Sequence, residues 1–157
     1  MKKFELTTES IETVSGEKLF RIKALVSFDA VEAGELGGYV EKEENLSHEG
    51  DAWVSGDAQV YGNAQVCGDA DIYDNSQKSS VDGFGSENRT TTFFREKSGG
   101  VGVMCGCFYG TLDEFREKVR KTHGDSEIAQ EYLAIADVEE RRFKRVAKKG
   151  EETDGRN

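Results

Sequence analysis

The chain has 157 residues, of which 36% are hydrophobic and 33% charged, and it carries a net charge of −10. It contains 18 glycines, no proline and three cysteines. This composition is typical of a globular domain, and the absence of any long apolar run predicts no membrane span. An odd number of cysteines argues against a disulfide framework, and the first six residues are too polar for a secretion signal. We therefore expect a cytoplasmic protein with reduced thiols.

The charge is divided unevenly along the chain. Residues 1–77 carry 16 acidic and 6 basic side chains, whereas residues 78–157 carry 15 of each. Because affinity for nucleic acid comes mainly from neutralised phosphates, we expect no duplex nucleic acid on the acidic half. We interpret two basic runs in the second half as solvated helix faces, with a basic groove for an anionic partner as the alternative. The runs comprise Arg116, Lys118, Arg120 and Lys121, and Arg141, Arg142, Lys144, Arg145, Lys148 and Lys149.

Residues 1–31 have the pattern of β-strands. Apolar and polar residues alternate over residues 4–6 and again over residues 19–25, and residues 15–18 have turn composition. We interpret this segment as a hairpin-like cap that covers the open end of the structure that follows it, because an uncovered strand edge promotes aggregation.

Residues 52–76 repeat with a period of six. The unit Ala-x-Val-x-Gly-Asp/Asn occurs four times without a gap, and a weaker unit at residues 46–51 has His48 at the aliphatic position. We predict that the aliphatic residue of each unit points inward and that the alanine fills a corner. The glycine and the Asp or Asn that follows it should form the bend. The inward residues are Val54, Val60, Val66 and Ile72.

This repeat resembles the hexapeptide-repeat family, whose left-handed parallel β-helix builds one coil from three six-residue units. The resemblance implies a short left-handed β-helix, and residues 36–47 resemble the lead-in of bacterial and prophage repeat proteins. Four units make little more than one coil, so the predicted solenoid needs neighbours and caps. We predict a first domain over residues 1–77, formed by the β cap and the β-helix, with clean repeats at 52–76.

The sequence pattern of the second half predicts a ββαα module over residues 78–150. Residues 77–88 have loop composition, two strands follow at 89–96 and 101–108, and residues 97–100 form the hairpin turn between them. We expect a flexible tail over residues 151–157.

The two helices of this module have clear start signals. Thr111 and Glu114 fit a capping box, so a helix should run from Leu112 to about Thr122 and stop at Gly124. A second helix should begin near Asp125 and continue to about Lys148. Its packed face is predicted to comprise Ile128, Tyr132, Ile135, Val138 and Phe143.

The module also resembles a domain that follows hexapeptide-like repeats in phage and prophage proteins. Three motifs carry this resemblance: Asn-Arg-Thr-Thr-Thr-Phe at 88–93, Cys-Gly-Cys-Phe at 105–108 and Gly-Thr-Leu-Asp-Glu-Phe at 110–115. It implies an accessory bacterial or phage protein, and it implies no particular reaction.

Residues 83–92 are the best candidate for a ligand site. A glycine-rich loop, an arginine and three threonines are components of phosphate and carboxylate sites, and the neighbouring strand leads into a helix N-terminus. No Walker-type lysine follows the glycines, so a nucleotide-hydrolysing P-loop is excluded. An ordinary strand with exposed threonines is the alternative. The predicted ligand-binding residues are Ser86, Asn88, Arg89, Thr90, Thr92, Tyr109 and Thr111.

Two weaker sites remain as alternatives. The family resemblance implies a short acyltransferase, in which His48 would be the general base. Cys105 and Cys107 with His123 could hold zinc. Alternatively, the two cysteines are small buried side chains, and His123 lies at a helix C-terminus, where a cation interacts favourably with the helix dipole.

The sequence favours a non-enzymatic binding or interaction protein. We expect a phage- or prophage-associated protein, located in the cytosol of a bacterium or an infected host, that holds a small anionic ligand such as a nucleotide, or a host protein. We expect no cofactor and no membrane partner. The alternatives are the acyltransferase and a structural homo-oligomer, and we expect self-association because solenoids with exposed side faces often associate.

Overall fold

A computed structural model describes the backbone of residues 1–154 and the side chains of residues 1–147. The first half contains six strands: β1 Phe4–Glu12, β2 Lys18–Ala24, β3 Leu36–Val40, β4 Trp53–Val54, β5 Gln59–Val60 and β6 Asp71–Ile72. The second half contains four strands and two helices: β7 Lys78–Phe84, β8 Arg89–Arg95, β9 Val101–Cys105, β10 Phe108–Thr111, α1 Leu112–His123 and α2 Glu127–Asp154.

The first half forms two small sheets. One has the order β1-β2-β3-β5, in which β1–β2 and β2–β3 are antiparallel and β3–β5 is parallel, with Val40 opposite Val60. The other is the parallel pair β4–β6, with Val54 opposite Ile72. An isolated parallel bridge joins Leu46 to Val66. Parallel pairing in this half is therefore confined to two stretches of two residue pairs each and one bridge.

The predicted left-handed β-helix is wrong. In residues 1–154 most strand pairs are antiparallel, the sheets do not close, and no hexapeptide-repeat solenoid is formed. Of the four repeats, only the first and the fourth pair with each other, as β4–β6, and the longer strands β1, β2 and β3 pair among themselves. The predicted β cap is likewise the body of the first sheet, because β2 pairs with β3 as well as with β1.

The burial predicted from the six-residue period is confirmed. The four inward aliphatics and the four alanines of the repeats are buried in one core together with Phe4, Ile22 and Val40. The three repeat glycines, Gly56, Gly62 and Gly68, have positive φ, as the bends require. Side-chain burial follows the repeat even though the backbone does not wind into a solenoid.

The second sheet lies between two cores. Its order is β10-β9-β8-β7, and all its pairs are antiparallel. Phe94 packs in the core of the repeats, whereas Phe93 packs in a second core with α1 and α2. One face of the sheet therefore covers the repeats and the other carries the helices.

The predicted ββαα module is also wrong, because the second half has four strands before its helices. Residues 78–84, predicted as loop, form β7, which pairs with β8 from Lys78–Phe94 to Phe84–Arg89 with a register shift between. β7 is an edge strand whose side chains are at least partly exposed, which explains its Ser, Asp and Gly content. The predicted strand 101–108 is broken by a two-residue turn at Gly106 and Cys107.

The two helices agree with the prediction better than the strands do. The capping box is confirmed: the Glu114 amide donates to Thr111 Oγ1 at 3.1 Å, and the Thr111 amide donates to Glu114 Oε1 at 2.9 Å. Gly124 ends α1. The predicted face of α2 is wrong at Val138, which is 62% exposed.

The C-terminal boundary differs from the prediction as well. The α2 backbone continues to Asp154, past the predicted end near Lys148 and into the predicted tail, and residues 155–157 lie outside the described part. Among the described helices, none has a stretch that is long and apolar enough to cross a membrane. The domain boundary between residues 77 and 78 stays a prediction.

A buried lysine closes the N-terminal end of the first core. Lys3 is 3% exposed, and its ammonium donates to the carbonyls of Ala52 at 2.6 Å and Gly50 at 3.3 Å. The Nζ atom lies 4.9 Å from the ring centre of Phe28. Burial disfavours the charged form and lowers the pKa of Lys3 to about 8.

This lysine predicts a specific pH dependence of stability. The unfolded chain keeps the Lys3 proton up to about pH 10.5, whereas the folded protein releases it near pH 8, so folding becomes more favourable as pH rises between these values. We expect the stability of the wild type relative to Lys3→Met to increase by about 2–3 kcal/mol over this interval, measured by urea unfolding. Lys23→Met, at an exposed position on β2, is the control. A pH-independent difference for Lys3→Met would contradict the prediction.

Candidate functional site

A cleft of about 530 Å³ opens on the helix side of the second sheet. The loop after β7, the turn between β9 and β10, and the facing sides of α1 and α2 form its walls. Its volume is in the range of small-molecule sites. The lining combines aromatic rings, cations, thiols and hydroxyls: Ser86, Glu87, Arg89, Cys105, Cys107, Phe108, Tyr109, Phe115, Lys118, Val119, Thr122, His123 and Tyr132.

Three aromatic rings from three elements form the apolar part of the cleft. The rings of Phe108 and Phe115 are 5.9 Å apart, and Phe115 meets Tyr132 edge-on at 5.6 Å. The Tyr132 hydroxyl donates to the Phe84 carbonyl at 3.2 Å, and burial raises the pKa of Tyr132 to about 12. Tyr132 is therefore neutral at physiological pH and contributes a ring face and a fixed hydroxyl.

Arg89 lies beside the β9–β10 turn. Its guanidinium pairs with Glu87, which raises the pKa of Arg89. The guanidinium also occupies the space next to Gly106, where an added Cβ would collide with Nη1 of Arg89. Gly106 has a φ of +59°, so both the backbone conformation and the close approach of Arg89 require glycine.

Helix α1 supplies the second cation of the cleft. Lys118 and Thr122 are one turn apart on the helix surface, and His123 stacks on Tyr132 with ring centres 6.1 Å apart. With Arg89 and Lys118 opposed by the single carboxylate of Glu87, the cleft has an excess of positive charge. The three rings form an aromatic floor, and such a floor in the same cleft as two cations suits an anion that carries a planar ring.

The structure divides the predicted ligand residues between the cleft and other places. Ser86, Arg89 and Tyr109 line the cleft. The Tyr109 hydroxyl, however, donates to Glu96, and its ring stacks on Phe94 with centres 6.3 Å apart. Burial and Glu96 raise the pKa of Tyr109. Tyr109 thus connects β10 to the first core.

The other four predicted residues have structural partners and do not line the cleft. Thr92 accepts a hydrogen bond from the Gln65 amide at 3.0 Å, because alternation along β8 turns its side chain towards the repeats. Thr90 donates to Asp82 at 2.8 Å. Asn88 occupies a positive-φ position in the turn, and Thr111 caps α1.

Several lining residues were missed by the sequence analysis as site residues. Glu87 lies between two predicted residues, and Phe115, Lys118 and Thr122 recur at three- and four-residue spacing on α1. That spacing was the available signal for a helix face turned towards one site. Tyr132 was predicted only as a packing residue.

The residues of the alternative zinc site line the cleft, whereas the alternative catalytic base does not. Cys105, Cys107 and His123 line the same cleft, but residues 1–147 contain no group of three His, Cys, Asp or Glu side chains arranged to hold a metal. His48 stacks on Phe4 at 4.3 Å, and its Nδ1 accepts from the Lys3 amide at 3.1 Å. Burial lowers the pKa of His48. His48 does not line the cleft.

No protein-family model matches the chain, and a search of curated proteins finds no match. The resemblance to phage and prophage proteins therefore stays a prediction.

The Gly106 position can be tested directly. We expect Gly106→Ala to lower the free energy of unfolding by about 1–2 kcal/mol from the left-handed backbone alone, and further because Arg89 must move. Gly100→Ala is the matched control, since its Cβ would meet Ser98 Oγ at 3.5 Å and its φ is not positive. Urea unfolding of both variants measures the difference. Equal stability of the two variants would show that the turn does not need glycine.

Proposed function

We propose that this protein is a non-enzymatic binding protein whose cleft holds a small organic anion with a planar ring, such as a nucleotide. The observation that carries the proposal is the meeting of Arg89 and Lys118 with the rings of Phe108, Phe115 and Tyr132 in one cleft of about 530 Å³. A phosphate or carboxylate would contact the cations, and the attached ring would pack on the aromatic floor.

The energies of these contacts are sufficient for measurable affinity. A hydrogen bond to a charged group contributes about 1.5–3 kcal/mol, and stacking of a base on an aromatic side chain contributes about 1–3 kcal/mol. Since a tenfold change in affinity corresponds to about 1.4 kcal/mol, loss of either cation should be readily detected.

Two groups of the cleft that could act as a general acid or base already have structural partners. Glu87 is paired with Arg89, and the Tyr132 hydroxyl is held by the Phe84 carbonyl. General acid–base catalysis needs a group within reach of the transferred proton. These two groups already have structural roles, which supports a ligand-holding site.

The host protein partner, the homo-oligomer and the cytoplasmic location stay predictions from the sequence. Multi-angle light scattering of the purified protein measures the oligomeric state.

We expect the affinity for a nucleotide to depend on the two cations that line the cleft. We expect wild-type protein to bind adenosine monophosphate more tightly than either adenosine or inorganic phosphate, measured by isothermal titration calorimetry. Arg89→Ala and Lys118→Ala should each weaken adenosine monophosphate binding about tenfold or more, because each removes a charged contact.

Matched controls separate this effect from a change in total charge. Arg120→Ala and Lys121→Ala remove exposed cations of α1 that do not line the cleft, and we expect binding to be nearly unchanged. Equal loss in all four variants would indicate non-specific attraction. A wild type that binds none of the three probes would contradict the proposed ligand class.

A further inference from the structure

The turn between β9 and β10 places two thiols in the same cleft. Cys105 pairs with Phe108 across the hairpin, so Gly106 and Cys107 are the two turn residues. Cys107 is exposed and Cys105 is half-buried, and both line the cleft. This pair has no role in the proposed ligand contacts.

The surroundings of the two sulfur atoms are polar and positively charged. The Thr91 hydroxyl donates to Cys105 Sγ at 3.2 Å, and the Tyr132 hydroxyl is 4.0 Å from the same sulfur. The Arg89 guanidinium lies against Gly106, between the two cysteines along the chain, and Lys118 lines the same cleft. Cations that line a cleft attract negatively charged reagents into it.

We propose that Cys105 and Cys107 form a thiol–disulfide exchange site for small anionic disulfides. This inference goes beyond the proposed function and does not rest on it. In the first step the Cys107 thiolate, its proton lost to solvent, attacks one sulfur of the disulfide. A mixed disulfide forms, and the other half of the reagent leaves as a thiolate.

Cys105 completes the exchange. Its thiolate attacks Cys107 Sγ, which forms the Cys105–Cys107 disulfide and releases the second half of the reagent as a thiolate. The two cysteines are thereby oxidised, and one disulfide molecule is reduced to two thiols. Residues two apart have Cα atoms at most about 7 Å apart, which overlaps the range of about 4.4–6.8 Å for disulfides.

The third cysteine provides an internal control. Cys67 Sγ lies 3.7 Å from Met104 Sδ and packs against the core of the repeats. Burial raises the pKa of the Cys67 thiol to about 11. Cys67 should therefore remain reduced under conditions that oxidise the pair.

The experiment uses the full chain and glutathione disulfide, which carries net negative charge. Peptide mapping by mass spectrometry should find the Cys105–Cys107 disulfide in the wild type and a reduced Cys67. Cys105→Ser should accumulate a stable glutathione adduct on Cys107, whereas Cys107→Ser should form no intramolecular disulfide within the pair. A wild type that stops at the mixed disulfide, or oxidation of Cys67 at the rate of the pair, would overturn the proposal.

A second arm tests the role of the cations. Arg89→Ala and Lys118→Ala should each slow the reaction with glutathione disulfide about tenfold, and should leave the reaction with uncharged hydroxyethyl disulfide unchanged. Arg120→Ala, outside the cleft, should change neither rate. Equal effects on the charged and uncharged reagents would overturn the proposed selectivity for anions. Because no nucleotide is present, these outcomes are independent of adenosine monophosphate binding.

Discussion

Two adjacent phenylalanines of β8, Phe93 and Phe94, are each 0% exposed and belong to different cores. Successive side chains of a strand point to opposite faces, so burial of both neighbours requires that both faces of the sheet be covered. The repeats cover one face, and α1 and α2 cover the other. A slip of β8 by one residue would move each set of side chains to the opposite core, so the burial of both sets favours a single register.

The candidate site is a consequence of the same alternation. Arg89 and Thr91 share the helix-side face with Phe93, whereas Thr92 shares the repeat-side face with Phe94. Thr91 reaches Cys105 on the neighbouring strand, and Arg89 reaches the turn that follows it. The helices then bring Phe115, Tyr132 and Lys118 to this face, so the cations and the thiols meet in one cleft.

Local features of the fold could be predicted from the sequence, and its global arrangement could not. The six-residue period correctly predicts buried aliphatics, and the capping box correctly predicts the start of α1, because both depend on neighbouring residues. The β-helix was wrong because the pairing partner of a strand depends on distant segments: β1, β2 and β3 form one sheet, and of these three only β3 pairs with a repeat strand. β7 was missed because an edge strand need not be apolar.

The site shows the same division between local and distant signals. Arg89 and Ser86 were predicted from their glycine-rich loop, and both line the cleft. Thr92 was misassigned because the run of three threonines was treated as one surface, whereas a strand divides it between two faces. The spacing of Lys118 on α1 indicates a shared helix face, but only the packing of α1 and α2 on the sheet brings Lys118 and Tyr132 to the cleft.

Nuclear Overhauser contacts from the two phenylalanine rings of β8 test this arrangement most directly. The structure places the ring of Phe93 6.2 Å from that of Phe115 and the ring of Phe94 6.3 Å from that of Tyr109. With the phenylalanines isotopically labelled, Phe93 should give cross-peaks to the α1 ring and Phe94 to the Tyr109 ring, with no exchange of partners. Cross-peaks from both rings to the same core would contradict a sheet shared between two cores.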